Sequence, residues 1–580
     1  MQLVAGELRL SASDLVGHLS CHHLSVLDRA VAEGQLAKPS HWDPQLEVLR
    51  ERGAVHERNF VQHLIDSGLE AARIDGVDVS DAAVAATLRS MAAGTEVIVQ
   101  GALRHGRWGG RADILRRVEK PSNLGAWSYE VLDTKLARET KAGTVLQLCL
   151  YSDLLQQAQG LAPDQMYVIA PWSDFMPQTF RFADYAAYYR QAKRRFEQSL
   201  EQEDAPATYP DPTAHCDICR WYDACDHKRR EDDHPSLIAS VTKVQINEFA
   251  QHGAATMASI AALPHPFSWR PERGSVGSYD RVREQARIQV EAREAGMRKF
   301  EMLEIEPGFG LARLPEPSPG DIFLDLEGDP FIGEHGLEYL FGYLSSDDHG
   351  ENVYRGEWAL SRAEERRAFE RFVDFVMARW EIHPDLHIYH YAPYEPAALK
   401  RLMGRYGTRE DEIDRMLRAG LFVDLYSVVR HAIRASVESY SIKRLEPFYG
   451  FVRQVPLPEA NSALTNFQAN LELGDVASIS EVTRATVRAA TMKMTASRRL
   501  PSAHGLRIGG QNSSPRAWMS HGPQVGMTVP RTRTSLPGLR ASLPLSSNFC
   551  KAFLTILQIA RRSRRRAGCW PICWIGTGGN

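Results

Sequence analysis

The chain has 580 residues, of which 43% are hydrophobic and 24% are charged, and its formal net charge at pH 7 is −3. This length predicts three or four domains, and the composition is that of an ordinary soluble protein with room for sizeable cores. The first ten residues are too polar for a secretory signal, and residues 552–560 are too short an apolar stretch to span a bilayer. We therefore predict a cytoplasmic protein with no membrane partner, in which clustered cysteines bind metal rather than form disulfides.

The first 235 residues have the pattern of an α/β domain. Hydrophobic residues recur at helical spacing in some segments and alternate in others, with turn residues between them. The predicted elements follow in chain order: helices over 11–30 and about 44–69, paired strands over 112–119 and 127–134, a helix over 141–155, and strands over 167–170 and 179–182.

Two carboxylates fall on the predicted strand pair. Asp113 and Asp133 could hold Mg²⁺ or Mn²⁺ through oxygen ligands, and Lys135 points to the same face as Asp133. Hydrolysis of a phosphodiester needs such a metal to activate water, and a cation to stabilise the developing charge. An Asp-x-Lys triplet alone is most often solvated surface. Gln147 and Tyr151, spaced i,i+4 on the next predicted helix, add polar groups on one helical face.

This ordered set resembles the RecB-like branch of the PD-(D/E)XK nucleases, whose motifs are a histidine, G-[RK]-x-D, [DE]-x-K and Q-x-x-x-Y. Here they stand as His56, Gly110-Arg111-Ala112-Asp113, Asp133-Thr134-Lys135 and Gln147-Leu-Cys-Leu-Tyr151. The resemblance implies a restriction-endonuclease-like core that binds a metal through His56, Asp113 and Asp133, assisted by the carbonyl after Asp133.

The same resemblance implies roles for the other motif residues. Lys135 would orient water or stabilise charge, and Gln147 and Tyr151 would contact DNA or support the site. Glu130, on the second predicted strand, could be an extra ligand or a supporting carboxylate.

Four cysteines frame this set. Cys21 lies near the N-terminus, and Cys216, Cys219 and Cys225 form C-x2-C-x5-C. The split arrangement resembles the iron–sulphur subset of the family, including CRISPR-associated and AddB-type nucleases, and implies a structural [4Fe–4S] cluster. Zn²⁺ is the alternative, because four thiolates also suit it. Cys149, inside the Q-x-x-x-Y helix, is predicted to be a buried apolar residue.

Residues 236–313 predict a mostly helical linker. It includes a helix–turn–helix pair with Gly253 at the turn, which is loosely similar to a helix-hairpin-helix but lacks the G-x-G that grips phosphate. A packing role is the favoured interpretation. The turn-rich segment 315–320 then marks a domain boundary.

A second α/β domain opens with the apolar strand 322–329, which carries Asp325 and Glu327 on one face. This pair resembles the first motif of DEDD exonucleases of the RNase H-like fold, in which four carboxylates hold two metals. Glu395 falls in a segment that resembles the second motif, where Asp is usual, and Asp424 is a possible supporting acid on a third core strand. The order of these pieces resembles that in large bacterial nuclease–helicase proteins.

The C-terminal tail differs from the rest of the chain. Residues 491–580 contain 14 Lys and Arg but no Asp or Glu, whereas residues 1–490 carry 55 basic and 72 acidic residues, a net charge of −17. The last exonuclease motif, Tyr-x3-Asp, is expected near residue 490 and is absent. The codons for Ala490–Ala496, read one nucleotide earlier, admit Tyr-x3-Asp. We therefore hypothesise a frameshift and a disordered, out-of-frame tail; a genuine basic nucleic-acid arm is the alternative.

The sequence thus predicts four segments: a nuclease domain over 1–235, a helical linker over 236–313, an incomplete RNase H-like domain over 314–489, and the tail over 490–580. The predicted function is that of a metal-dependent single-strand DNA exonuclease in DNA repair or processing. The alternatives are a catalytically impaired nucleic-acid-binding remnant, and a nuclease that acts through the second domain. The resemblance also implies a helicase in the same chain, but no G-x4-G-K-[ST] motif appears.

Resequencing the gene tests the frameshift. We expect a change of reading frame near codon 490, after which the alternative frame encodes Tyr-x3-Asp. A single intact frame that still encodes the basic tail contradicts the hypothesis.

Overall fold

The computed structural model describes residues 1–39, 44–136, 140–171, 173–201, 208–330, 332, 335–448, 457–472, 476–481, 483–485 and 487. The tail over 490–580 lies outside these residues, as do the disorder predicted for it and the expected position of Tyr-x3-Asp.

The N-terminal domain is built around a six-stranded mixed sheet, preceded by a small hairpin and two short helices. Its elements are β1 (Gln2–Val4), β2 (Glu7–Arg9), α1 (Ala12–Ser20), α2 (His22–Ala32), α3 (Pro44–Asp66), β3 (Ala71–Arg73), α4 (Asp81–Ala93), β4 (Val97–His105), β5 (Trp108–Val118), β6 (Ser128–Thr134), α5 (Ala142–Gln159), β7 (Gln165–Ile169), β8 (Gln178–Arg181), α6 (Phe182–Glu201) and α7 (Tyr222–Glu231). The predicted strand pair and the helix and strands that follow it are confirmed.

The order of the central sheet is β3-β4-β5-β6-β7-β8. Strand β5 is antiparallel to both of its neighbours, β4 and β6, whereas β6 is parallel to β7. Side chains alternate between the two faces of a sheet, and here both faces are covered. Leu115 and Val131 pack in the core that includes α5, while Ile114 and Leu132 pack in the core that includes Phe60 of α3. A polar side chain in the middle of this sheet is therefore enclosed by helices on both sides.

The prediction of a single helix over 11–30 is wrong, because this segment forms two helices, α1 and α2. Cys21 lies at the break with extended backbone, at φ −160° and ψ 111°. Its N–H still donates to the carbonyl of Gly17 at 2.8 Å, which closes the last turn of α1. The hydrophobic spacing continues across the break, so the sequence pattern could not reveal it.

The linker contains α8 (Lys243–Gln251), α9 (Met257–Ala261), α10 (Val276–Glu294) and β9 (Phe300–Met302). Gly253 occupies the predicted turn with φ +82°, a conformation that glycine adopts readily. Phe249, Ile260 and Tyr279 form a core of the linker's own. This core agrees with a packing role for the helix pair.

The second domain contains a five-stranded sheet in the order β12-β11-β10-β13-β14. The elements are β10 (Ile322–Asp329), β11 (Leu337–Ser346), β12 (Asn352–Trp358), α11 (Arg362–Ile382), β13 (Ile388–His390), α12 (Tyr394–Tyr406), α13 (Glu410–Arg418), β14 (Phe422–Asp424), α14 (Leu425–Ala432), β15 (Ile433–Ala435), α15 (Ile442–Leu445) and α16 (Leu457–Glu472). Strand β10 is central, antiparallel to β11 and parallel to β13, which is in turn parallel to β14. The predicted α/β class is confirmed for both domains.

The linker is joined to the second domain by backbone and side-chain contacts. Strand β9 pairs antiparallel with β15, and the amide of Gln285 on α10 donates to the carbonyl of Ala435 at 2.8 Å. Farther along, Arg230 at the end of α7 donates to both carboxylate oxygens of Glu438, at 2.6 and 3.0 Å. Within the described residues, no helix combines the length and the apolar character that crossing a membrane would need.

Candidate active site

The two predicted carboxylates lie opposite each other in the central sheet. The register pairs Ile114 with Leu132, so Asp113 and Asp133 occupy the next cross-strand position. One carboxylate oxygen of Asp113 accepts hydrogen bonds from the backbone N–H and the hydroxyl of Thr134, at 2.9 and 3.0 Å. Because like charges at facing positions destabilise a sheet, this arrangement requires a cation nearby.

Lys135 supplies one cation. Its Nζ lies 2.5 Å from Oδ2 of Asp133, whose side chain is 0% exposed. Burial and the neighbouring Asp113 raise the pKa of Asp133 to about 8. Burial lowers the pKa of Lys135, but the two carboxylates outweigh this effect and raise it overall. One lysine therefore faces two carboxylates, which leaves the site short of positive charge.

Oδ2 of Asp133 is buried and lies against one cation, the ammonium group of Lys135, although the contact does not have the geometry of a good hydrogen bond. A buried carboxylate is costly unless a cation neutralises it. Because one lysine serves two carboxylates, the pair leaves charge for a further cation, and its oxygen atoms are ligands that Mg²⁺ and Mn²⁺ prefer.

Gln147 and Tyr151 on α5 approach the same carboxylate. Nε2 of Gln147 lies 3.5 Å from Oδ1 of Asp133 and 3.4 Å from the Tyr151 hydroxyl, both at the outer limit of a hydrogen bond. Gly110 on β5 makes room for the tyrosine, since a Cβ at this position would lie 2.6 Å from Cε1 of Tyr151. The glycine of one motif is thus required by the tyrosine of another.

Arg111, next to this glycine, faces away from the carboxylates. Its guanidinium donates to the backbone carbonyls of Ile74 and Asp78, at 2.6 and 2.9 Å. Through these bonds Arg111 stabilises the segment that follows β3.

His56 does not reach a carboxylate. It is buried on α3, and its Nε2 lies 3.0 Å from the backbone carbonyl of Ile169. The same carbonyl accepts the N–H of Lys135 at 3.1 Å. The structure thus places His56 at the end of β7 beside the site, and its role as a metal ligand stays a prediction.

Glu57 is a site residue that the sequence motifs do not include. It is half-buried on α3, and burial followed by the charge of Asp113 raises its pKa. It is also among the acids that raise the pKa of Lys135. A signal was available, because Glu57 lies three residues before Phe60, which packs against the sheet.

Glu130 is engaged elsewhere. Its carboxylate accepts the N–H of Gln165 at 2.9 Å and the hydroxyl of Tyr167 at 2.7 Å. These bonds tie β6 to β7 and agree with the supporting role. As the described side chains stand, no three His, Cys, Asp or Glu residues surround a single metal-sized point. The acids of the first site are instead arranged around Lys135.

The four predicted cysteine ligands are brought together. Cys21, Cys216, Cys219 and Cys225 are free thiols that line one cavity of about 20 Å³. The N–H of Thr213 donates to Sγ of Cys216 at 3.3 Å. Burial, followed by the neighbouring Cys219, raises the pKa of the Cys225 thiol to about 11. Crowded thiols of this kind ionise when a metal supplies positive charge, but as they stand the four described thiols do not surround a metal-sized point.

Contacts other than the cysteines also join the two ends of the domain. Asp28 on α2 accepts hydrogen bonds from the guanidinium of Arg220 and from the indole N–H of Trp221, the latter at 3.3 Å. His23 lies 2.8 Å from the hydroxyl of Thr208. Cys149 is fully buried in the core around α5, as predicted.

In the second domain, Asp325, Glu327 and Glu395 line a cavity of about 540 Å³. Oε2 of Glu395 is buried without a hydrogen-bond partner, and Nδ1 of His390 lies 3.6 Å from it. An acidic cavity with an unsatisfied, buried carboxylate oxygen is suited to a cation.

Two further acids of this domain are already bonded. Glu338, which the sequence motifs do not include, lines the cavity and accepts hydrogen bonds from Tyr394 at 2.8 Å and Arg401 at 2.7 Å. Asp424 does not line the cavity. Its Oδ1 accepts the N–H groups of Ala392 and Tyr426, at 2.9 and 3.0 Å, and it caps the start of α14.

Comparison with known families agrees with this architecture. Residues 27–226 match the family model of the PD-(D/E)XK nuclease superfamily, and residues 322–483 match that of the RNase_H superfamily. The first match contains every site residue from His56 to Cys225 and begins after Cys21. No curated protein matches the chain.

Proposed function

We propose that this chain, which joins a PD-(D/E)XK nuclease superfamily domain to an RNase H superfamily domain, is a metal-dependent DNA nuclease whose active site lies on β5 and β6. The observation that carries the proposal is the facing pair Asp113 and Asp133 with Lys135 against the buried Asp133 oxygen. Asp113 and Asp133 would hold Mg²⁺ or Mn²⁺, with His56 as the third predicted ligand. When bound, the metal supplies Lewis acidity for the phosphate and for water.

The surrounding residues have distinct tasks. The ammonium group of Lys135 stabilises negative charge that develops on the phosphate. The amide of Gln147, between Asp133 and the Tyr151 hydroxyl, restrains the direction of the carboxylate.

The exposure of the site favours a thin substrate. The Asp133 side chain is 0% exposed and that of Lys135 is 28% exposed, so the lysine is the member of this pair that a phosphate can reach. A single strand, which has no complementary strand beside its backbone, approaches such a recessed pair more readily than a duplex. We therefore propose cleavage of single-stranded DNA ends, in cytoplasmic repair or processing, with a helicase as the partner that the family resemblance implies.

Substituting the central residues tests the site. Asp133→Asn and Lys135→Met should each lower the cleavage rate by about 100-fold or more, because each removes a charge used in the transition state. Asp153→Asn removes a carboxylate from the same domain, where it binds Lys193 and Tyr189, and should keep the rate. The assay is Mn²⁺-supplemented digestion of labelled single and double strands by anaerobically prepared protein. Undiminished cleavage by Asp133→Asn would exclude this site, and faster digestion of duplex would contradict the single-strand preference.

We also propose that Cys21, Cys216, Cys219 and Cys225 hold a structural [4Fe–4S] cluster. The support is their shared cavity, their free thiols and the N–H bond to the Cys216 sulfur. Zn²⁺ is the alternative ligand of the same set. In either case the group would join α2 to α7 and close the domain.

Metal analysis separates these two groups. Protein purified without oxygen should be brown and contain about four iron and four sulfide per chain. Cys21→Ser should lose this iron and lower the melting temperature, whereas Cys149→Ala, which alters a buried core cysteine, should retain it. Zinc without iron or sulfide would identify the alternative, and the absence of both metals would contradict the metal-binding role of the quartet.

A second nuclease site in the RNase H-like domain is favoured by one observation, the buried and unsatisfied Oε2 of Glu395 in the acidic cavity. With Asp424 committed to capping α14, the cavity has three acids at motif positions, Asp325, Glu327 and Glu395, against the four of the DEDD pattern. We therefore propose that its activity is weak.

The second site is tested in the Asp133→Asn background. Any residual cleavage should disappear when Asp325→Asn is added, since this change removes a carboxylate from the cavity lining. Asp374→Asn, on an exposed ion pair of α11 with Arg409, serves as the control and should preserve it. Residual cleavage that survives Asp325→Asn would argue against this site. DNA binding with no cleavage by the unmodified protein would favour the alternative of a catalytically impaired remnant.

A further inference from the structure

The outward side of helix α6 combines exposed aromatic rings with arginines. Tyr185 and Tyr188 are 37% and 60% exposed, and Tyr188 is the most exposed aromatic side chain in the described part of the chain. Arg190, Arg194 and Arg195 are exposed on the next two turns. We call these five residues the α6 face. At a rise of about 1.5 Å per residue, the face extends over roughly 15 Å of the helix.

The arginines of the α6 face carry charge that no acidic residue offsets. Each acid of α6 already has a partner: Asp184 lies near Arg181, Glu197 accepts the indole N–H of Trp108, and Glu201 accepts a bond from Arg107. Within the ranges that the structure describes, the three arginines of the face form no ion pair. Acidic residues are in excess over residues 1–490, so this face is a local exception that attracts anions.

The inner side of α6 fixes this face beside the proposed nuclease site. Phe196 is buried in the core that also contains Tyr151 of α5. The carboxylate of Glu197 accepts the indole N–H of Trp108 at 2.6 Å, and Trp108 is the first residue of β5. Asp113 follows five residues later, or roughly 17 Å along an extended strand. The arginine-bearing half of α6 is therefore anchored at the start of the strand that carries Asp113.

The chemistry of the α6 face favours one kind of partner. Guanidinium groups bind phosphate, and exposed aromatic rings stack on bases that are not paired. An acidic protein would use the arginines but not the rings. The other exposed residues of α6 are alanine, glutamine and acidic side chains, so the face has no large aliphatic group to enter a lipid bilayer. A single nucleic-acid strand uses both the charges and the rings.

We propose that the α6 face is a binding surface for single-stranded DNA, separate from the carboxylates that cleave it. Arg190, Arg194 and Arg195 contact phosphates, and Tyr188 stacks on a base. The face holds the strand while another part of it lies at the site on β5 and β6. This inference rests on the proposed nuclease function, because the bound strand is the substrate of that site.

The charges are tested by the triple variant Arg190→Gln, Arg194→Gln, Arg195→Gln. Its affinity for a labelled oligothymidylate, measured by fluorescence anisotropy at low salt with EDTA present to prevent cleavage, should fall about 10-fold or more. Each phosphate contact on a single strand contributes about 0.7 to the slope of log affinity against log salt concentration. The slope should therefore decrease by about 2 in the triple variant.

Three exposed arginines of the second domain supply the matched control. Each is paired with a carboxylate, and replacing them by glutamine changes the net charge by the same amount: Arg366, Arg371 and Arg418. The control variant should keep both the affinity and the salt dependence of the unmodified protein. A loss as large as that of the α6 variant would show that total charge, and not the α6 face, governs binding.

The aromatic contact has a different signature. Tyr188→Ala should lower the affinity for the single strand about fivefold or more and leave the salt slope unchanged, because stacking releases no counterions. Tyr188→Phe keeps the ring and should restore the affinity. Duplex DNA of the same length should bind Tyr188→Ala and the unmodified protein equally, since paired bases are not available to stack. An equal loss for single strand and duplex would refute stacking.

The outcomes separate this inference from the proposed function. If the unmodified protein cleaves DNA while the triple variant and Tyr188→Ala bind single strands as tightly as it does, the α6 face is refuted and the nuclease function stands. If the unmodified protein binds single strands through the α6 face but cleaves none with Mn²⁺, the binding surface stands and the nuclease function fails. If it does not bind single strands at all, the inference fails.

Discussion

The main constraint on the N-terminal domain is the electrostatic repulsion between two carboxylates that face each other inside a covered sheet. Asp113 and Asp133 cannot separate, because the register of β5 and β6 fixes them. The repulsion is met by Lys135 and by the donors of Thr134, and the remaining negative charge is the basis of the cation site that we propose there. Helices cover both faces of the sheet, so water screens these charges little. The carboxylate pair therefore lowers the stability of the sheet while it supplies the reactive groups of the site.

Much of this site could be predicted from the sequence. Alternating strands and a short turn are local signals, and they are enough to put Asp113 and Asp133 on neighbouring strands. The break at Cys21 could not be predicted, because hydrophobic spacing runs through it unchanged. The left-handed Gln100 has no local signature, since its conformation comes from the packing around it.

Acidic residues show the limit of sequence patterns most clearly. Asp424 and Glu395 both occupy expected motif positions, yet Asp424 caps a helix and Glu395 faces a cavity. The same side chain can accept backbone N–H groups or bind a cation, and only its surroundings decide between them. Glu57 shows the converse case, because its approach to Asp113 depends on how α3 docks against the sheet.

The close approach of Gly110 and Tyr151 links two motifs that are 41 positions apart. The tyrosine ring occupies the volume that any larger residue at 110 would need. Inheritance of these two positions should therefore be correlated: a lineage that acquires a side chain at 110 must first shrink the residue at 151. The glycine three positions before Asp113 would then be retained because of the size of a distant aromatic ring, and not because the reaction requires it.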